Sequence, residues 1–341
     1  MTFSLIERVE AGNVLKRAEA EAAMEELLSG CLETPDIVRL LAGLNRRPVA
    51  VQELAGFAQV MRRHATHVFA EGEARPANMV DTCGTGGDGA NTFNISTAAA
   101  IVAAAAGARV AKHGNRASSS RSGSADALEA LGVRIDLPFE KCGRAIREIG
   151  LGFLFAQAAH SAARHAAPAR KQLGVRTVFN LLGPLTNPAG AQSQVLGVFS
   201  AEVIELVAAA LAELGVERAL VVHGAGGLDE ISLAGETLVA EVRGGAVKRF
   251  TLTPEEFGVA RAPLEAIRGG TPAENAALIG RILEGEAGPA RDIVVVNAAA
   301  ALVAAGVAAN FREAAGLASF VISSGAASEK LTSLVAFTNE N

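Results

Sequence analysis

The spacing of apolar positions changes once along the chain, near residue 72. Before that point they recur every three or four residues. Ile37, Leu40, Leu41 and Leu44 line one side of a helix that Thr34-Pro35-Asp36 starts, with Thr34 as N-cap, proline in the first turn and an early acid. A further helix is expected from about Val51 to His64. After the polar bridge Glu71 to Asn78, short apolar runs alternate with helical stretches. The runs Met79–Cys83, Arg109–His113, Phe153–Ala156, Val195–Phe199 and Ala219–His223 read as strands, and Ile95–Ala106 and Ala201–Leu214 as helices between them. This order predicts an α/β fold: a helical N-terminal small domain, residues 1–72, and a large α/β domain, residues 73–341, whose central sheet is covered by helices. The stretch from about 162 to 190 lacks strand character and is expected to return to the helical domain.

Candidate chemistry begins where the first strand ends. In Asp81-Thr-Cys-Gly-Thr-Gly-Gly-Asp-Gly-Ala-Asn-Thr-Phe-Asn-Ile-Ser-Thr97, glycines 84, 86, 87 and 89 allow a tight turn with bare amides. The helix that starts near Asn94 to Ser96 adds unpaired N–H groups and the positive end of its dipole. Two common phosphate motifs fail here. A P-loop needs Lys and Ser or Thr directly after its last glycine, and neither follows Gly89. The spacing Gly84-x-Gly86-x-x-Gly89 satisfies the dinucleotide fingerprint, but Lys112-His113 stands where that fingerprint expects an acid. Asp88 would repel a phosphate unless a cation or a ligand hydroxyl accompanies it, so a metal-chelated phosphate fits better than a nicotinamide cofactor.

A second stretch, Lys112-His-Gly-Asn-Arg-Ala-Ser-Ser-Ser-Arg-Ser-Gly-Ser-Ala-Asp126, gathers cations and hydroxyls at the C-terminal end of the next strand. Two phosphate-seeking loops on adjacent strands point to a ligand with phosphates at both ends. In His223-Gly-Ala-Gly-Gly-Leu-Asp-Glu230 two neighbouring carboxylates repel each other unless something positive lies between them, and magnesium with phosphate oxygens meets that need. A third stretch offers His160, Arg164, Arg170 and Arg176 near a helical segment, where an arginine can fork onto a carboxylate.

The 341 residues carry a net charge of −5, which argues against nucleic acid as a partner. No apolar run is long and uncharged enough for a bilayer, and MTFSLIERVEAG shows no secretory pattern, so a cytoplasmic protein is expected. Three widely spaced cysteines suit reduced thiols, and Cys83 reads as a small buried filler rather than a nucleophile. With no Trp or Tyr, aromatic stacking must come from Phe.

Taken together, Gly84-Thr-Gly-Gly-Asp88, Asn94-Ile-Ser-Thr97, Lys112-His-Gly-Asn-Arg116, Ser122-Gly-Ser-Ala-Asp126, Arg176-Thr-Val-Phe-Asn180 through Asn187-Pro188, and Asp229-Glu230 resemble the anthranilate phosphoribosyltransferase family over nearly the whole chain. The resemblance implies a fold like that of class III nucleoside phosphorylases and a homodimer formed by the small domain. It implies transfer of a phosphoribosyl group from phosphoribosyl pyrophosphate to anthranilate. By the same resemblance Gly84, Gly87, Asp88, Thr92, Asn94, Ile95, Ser96, Thr97, Lys112, His113, Gly114, Asn115, Arg116, Ala117, Ser118, Ser119, Ser120 and Ser124 cradle the donor. Ser96, Asp229 and Glu230 hold two Mg2+ ions, while Gly84, Asn115 and Arg170 contact anthranilate, with His160 and Pro184 along its approach. No side chain is assigned as acid or base. One departure is His160-Ser161-Ala162-Ala163, preceded by Ala159, where the family usually has His-Pro-Ala-Met after a bulky residue; a wider or differently shaped acceptor channel is expected. A nucleoside phosphorylase of the same fold is the rival reading, but it needs neither the acidic pair nor an arginine for a carboxylate. A nucleic-acid-binding paralogue would carry a strongly basic surface.

Overall fold

Four helices, Thr2–Glu10, Arg17–Leu28, Thr34–Leu44 and Val51–Arg63, open the chain in a computed structural model that describes residues 2–117 and 121–340. The expectations for Ser118, Ser119 and Ser120 lie outside the described residues. Thr34 is the first helical residue rather than the cap: Glu33 takes the cap position, without a side-chain hydrogen bond, and Pro35 lies within the first turn. Proline serves there because its missing N–H would have no intrahelical partner.

The bundle is pinned by one buried charge. The Glu53 carboxylate, fully buried, accepts from the Leu15 amide at 2.9 Å, the Ala50 amide at 2.9 Å, and the Arg47 guanidinium at 2.6 and 2.8 Å. Residues 161–185 return to this bundle, through the helices Ala167–Leu173 and Phe179–Leu182. Ala166, Ala169, Phe179, Leu182 and Leu185 share one apolar core with Ile6, Leu40 and Phe57.

Seven strands form a single mixed sheet: β1 Met79–Gly84, β2 Arg109–Gly114, β3 Leu151–Phe155, β4 Ser193–Gly197, β5 Arg218–Gly224, β6 Thr237–Arg243 and β7 Ala246–Leu252. Their order is β3-β2-β1-β4-β5-β6-β7, parallel through β5 and antiparallel beyond it. The five expected strands are all present, displaced by at most two residues at their ends. β6 and β7 were not anticipated. Their turn is Gly244-Gly245, both with positive φ, but β7 is an exposed edge strand carrying Lys248 and Arg249, so no apolar alternation announced it.

Parallel strands are covered on both faces, and side chains alternate between two cores. Leu220 and Val222 meet the helices Ile95–Ala105 and Pro289–Ala304, while Ala219 and Val221 meet the helix Ile204–Glu213 and, through it, the helical bundle. The chain turns from one side of the sheet to the other between β1 and β4, and Gly84 lies opposite Gly197 at the C-terminal end of that switch. Ligands of open α/β sheets bind at such a point. Among the described residues, no helix is long and apolar enough to cross a membrane.

Burial pushes the Glu53 carboxyl up, but hydrogen bonds from Arg47, Leu15 and Ala50 outweigh it and hold the pKa below its ordinary 4.5. A lowered carboxyl pKa stabilises the fold above the unfolded value, and that stabilisation is lost as pH falls through the folded one. Glu53→Gln is expected to cost roughly 3 kcal/mol at pH 7, since breaking a buried pair strands its partner, and the gap to the parent should shrink below pH 4.5. Chemical denaturation at both pH values is the check; an equal gap at both would mean that the charge is not the source.

Candidate active site

Four adjacent strands, β1, β2, β4 and β5, end in glycine at the switch: Gly84, Gly114, Gly197 and Gly224. Close approach requires it at two of them. A Cβ on Gly197 would collide with the Asp229 carbonyl oxygen, and one on Gly84 would collide with Asp229 Oδ2. The acidic turn therefore lies directly on the strand ends. Beyond Gly84 the loop runs through Gly86, Gly87, Gly89 and Asn91, all with positive φ. The Gly87, Asp88 and Gly89 amides have no acceptor among the described residues and remain available to an anion. Residues 267–269 stitch the loop's far end, with the Gly269 amide donating to the Asn91 carbonyl at 2.8 Å and Thr92 bridged to Arg268.

Helix Ile95–Ala105 follows, and its N-terminus is tied to the acids. The Ser96 amide donates to Glu230 Oε1 at 3.0 Å and the Gly86 amide to Asp229 Oδ2 at 2.7 Å. Asp88 joins them, accepting weakly from the Asp229 amide at 3.4 Å. Burial raises the pKa of Asp229 to about 7, helped by Asp88, and that of Glu230 to about 8, helped by Asp229. A cation would relieve this crowding. Among the described residues, no three His, Cys, Asp or Glu side chains converge as an all-protein cage. An oxygen-seeking ion that keeps water and substrate phosphate in its shell suits such a sparse donor set.

Beneath the loop lies a buried polar layer. Lys112 Nζ donates to the Thr82 carbonyl at 2.6 Å and to Ser96 Oγ at 3.2 Å. Burial pushes its pKa down and the Asp81 carboxylate opposes that shift. Asp81, fully buried, accepts the His113 amide at 3.0 Å. Gln194 Nε2 donates to the Pro184 carbonyl at 2.6 Å and lies 3.1 Å from Cys83 Sγ. Cys83 is thus packed as a filler, and burial drives its thiol pKa far up, away from nucleophilic use.

Beside this layer, the His113 and His160 rings meet edge to face, centroids 5.2 Å apart. Burial lowers His113 to about 3 and His160 to about 4, so both are neutral imidazoles at pH 7. His160 Nε2 lies 3.2 Å from Thr186 Oγ1. Arg170 places its guanidinium over the Phe179 ring, 5.4 Å from the centroid, and pairs with no carboxylate among the described residues. Arg164 is exposed. Ala159 is fully buried with its carbonyl bound to the Thr66 amide, and Ala163 is half-buried.

The loop after β2 is less open than its sequence suggests. Arg116 pairs with Asp126 at 3.0 Å and with Glu129, and the Ala117 and Gly123 amides both donate to Asp126 at 2.9 Å. Ser124 Oγ receives the Asn115 amide at 3.2 Å, and Thr97 is buried behind them in helix Ile95–Ala105. Asn94 does not cap the helix with its side chain; its Oδ1 accepts from Ser122 Oγ at 3.1 Å and from Asn275 Nδ2 at 2.9 Å. Sequence reasoning missed Asn275, Gln194 and Asn297. Asn297 brackets Ile231, next to the acidic pair, with two backbone hydrogen bonds of 2.9 and 3.0 Å. Its signal was a lone amide inside the apolar run Ile293–Ala304.

Residues 76–328 match the model of a glycosyl transferase family's a/b domain, and residues 3–65 match that family's helical bundle domain. An anthranilate phosphoribosyltransferase from Pelotomaculum thermopropionicum is 52% identical over 338 residues, covering 99% of this chain and 97% of that protein. The crystal structure of the enzyme of that name from Thermus thermophilus superposes with a TM-score of 0.92 at 49% identity, covering 98% of this chain and 99% of that one. The one from Saccharomyces cerevisiae, in complex with PRPP and Mg, gives 0.88 at 29% identity, covering 98% and 97%. By full-length likeness, and by the acidic turn and glycine loop that share one sheet switch, the chain belongs to the anthranilate phosphoribosyltransferase family.

Proposed function

We infer that this chain transfers the 5-phosphoribosyl group of phosphoribosyl pyrophosphate to the amine of anthranilate, giving N-(5-phosphoribosyl)anthranilate and pyrophosphate, the second step of tryptophan biosynthesis from chorismate. The observation that carries the reading is the meeting of three open loop amides, at residues 87 to 89, with the paired carboxylates Asp229 and Glu230 over the β1–β4 switch. Anion donors and cation ligands side by side suit a pyrophosphate that arrives with its metal.

In this reading the amides of the glycine loop, the Ser96 helix start and the Lys112 loop hold the donor's phosphates. Lys112 keeps positive charge below them. Asp229, Glu230 and Ser96 hold Mg2+, which neutralises charge on the departing pyrophosphate. Each carboxylate is anchored by a different element, Asp229 by the loop and Glu230 by the helix start, which supports two ions. The ribose C1 becomes oxocarbenium-like as its bond to pyrophosphate lengthens, and the anthranilate nitrogen attacks from the opposite face. An arylamine is neutral at pH 7, so no strong base is required, in keeping with neutral His113 and His160. Positioning and electrostatics then supply the rate. Arg170, backed by Phe179, offers an open fork to the anthranilate carboxylate. Residues 1–72 with about 162–190 act as the helical domain, which forms the homodimer, and the enzyme works in the cytoplasm; the shared core of these two segments supports that division.

The direct test mixes the protein with phosphoribosyl pyrophosphate, Mg2+ and anthranilate and follows anthranilate fluorescence. Loss of fluorescence that needs all four components is expected; turnover only of a nucleoside with inorganic phosphate would replace this reading with the phosphorylase one.

Replacing Asp229 by Asn together with Glu230 by Gln is expected to lower kcat at least a hundredfold, on the order of 3 kcal/mol of lost transition-state stabilisation. Turnover at the parent's level with limiting Mg2+ would remove the metal role. Arg170→Ala should raise the KM for anthranilate about ten- to a hundredfold, the worth of a charge-assisted hydrogen bond, while leaving the KM for phosphoribosyl pyrophosphate within a few-fold. Equal effects on both constants in steady-state kinetics would reassign the arginine to structure.

A further inference from the structure

Arg176 lies outside both sets of proposed ligands, yet it touches the glycine loop at its centre. It follows the helix Ala167–Leu173 that carries Arg170, and its Nη2 donates to the Gly87 carbonyl. Its guanidinium lies over Phe199, 4.3 Å from the ring centroid, just beyond β4. Its own carbonyl accepts from Asn45 Nδ2 at 2.7 Å, at the end of helix Thr34–Leu44. One residue thus joins the helical bundle, the returning segment and the phosphate loop. Gly87 itself has φ +73°, a backbone conformation that favours glycine, and it packs against the Arg176 guanidinium.

We propose that Arg176 is a positioning residue for the donor, holding the Gly87–Asp88 peptide so that its amide stays turned toward the pyrophosphate. The proposal rests on the phosphoribosyl-transfer reading. The mechanism is geometric. In a trans peptide the C=O of one residue and the N–H of the next point in opposite directions, so fixing the Gly87 carbonyl fixes where the Asp88 N–H points. The loop is then tethered on two sides, by the Gly86 amide on Asp229 and by the Gly87 carbonyl on Arg176. Three glycines in a loop of this kind make many other conformers accessible, and every one of them must be given up on binding. A tether that gives them up beforehand strengthens binding of the donor alone. Phe199 holds the guanidinium plane, so a lysine, with a point charge and no flat face, cannot fully replace it.

The test combines calorimetric binding of phosphoribosyl pyrophosphate with Mg2+ and steady-state kinetics for both substrates. Arg176→Ala is expected to raise the donor's Kd and KM about ten- to a hundredfold, and the anthranilate KM at saturating donor less than about threefold. Arg176→Lys should recover part of the donor affinity. An unchanged donor KM, a larger rise for anthranilate, or a fall in kcat alone would overturn the proposal. Phe199→Leu removes the face that orients the guanidinium and leaves the loop's own residues intact; it should weaken donor binding severalfold and decides the matter if Arg176→Ala does not fold. If the parent protein itself fails to consume anthranilate, the function is wrong; if it turns over and only the variants behave like the parent, the positioning role is wrong.

Discussion

The site is organised by an electrostatic conflict that the chain alone does not resolve. Asp229 and Glu230, with Asp88 beside them, are pressed onto strand ends where side chains have been removed to make room. Burial and repulsion raise the pKa values of Asp229 and Glu230 toward neutrality. The Gly86 and Ser96 amides offset this in part, as does the Lys112 ammonium near Glu230, and both amides belong to the glycine loop and to the helix start that follows it. Acidic turn and phosphate loop are therefore one unit. The carboxylates hold the loop in shape, and their crowding is one that a cation would relieve.

Holding that unit in place falls to residues far from the chemistry. Asn297 comes from an otherwise apolar helix across the sheet, and Asn275 from the helix Pro272–Leu283, yet they bracket the acidic turn and the helix start respectively. Each is buried, and an amide there costs stability unless its donors and acceptors are satisfied. The hydrogen bonds they make offset that cost and fix backbone that glycine leaves free. Gln194 does the same between β4 and the Pro184 carbonyl.

The region around His113, His160 and Arg170 follows a different logic. His113 and His160 are buried and neutral and add no charge there, while the Arg170 guanidinium rests on Phe179. The helical bundle that carries this segment is stiffened by the buried Glu53 and Arg47 pair. The bundle and the returning segment share an apolar core with the helix Ile204–Glu213 on one sheet face, whereas the helix that follows the glycine loop packs into the core on the other.

Much of this was legible in the sequence, because its signals are local. The change of apolar period near residue 72 marked the helical unit, short apolar runs marked five of the seven strands, and the glycine loop and acidic pair each announced a charge problem within a few residues. The edge strand β7 escaped because a solvated edge strand has no alternation to read. Other features arise only when distant segments meet. That Gly197 must be glycine depends on Asp229, 32 positions away in number and in direct contact in space. That Arg116 is spent on Asp126 and Glu129, and that Arg176 reaches Gly87, depends on how loops fold back over the sheet. The composition of each loop determined which ligand chemistry it favours. Which of its groups remain open to a ligand was decided by the hydrogen bonds that tertiary contacts consume, and those no local pattern encodes.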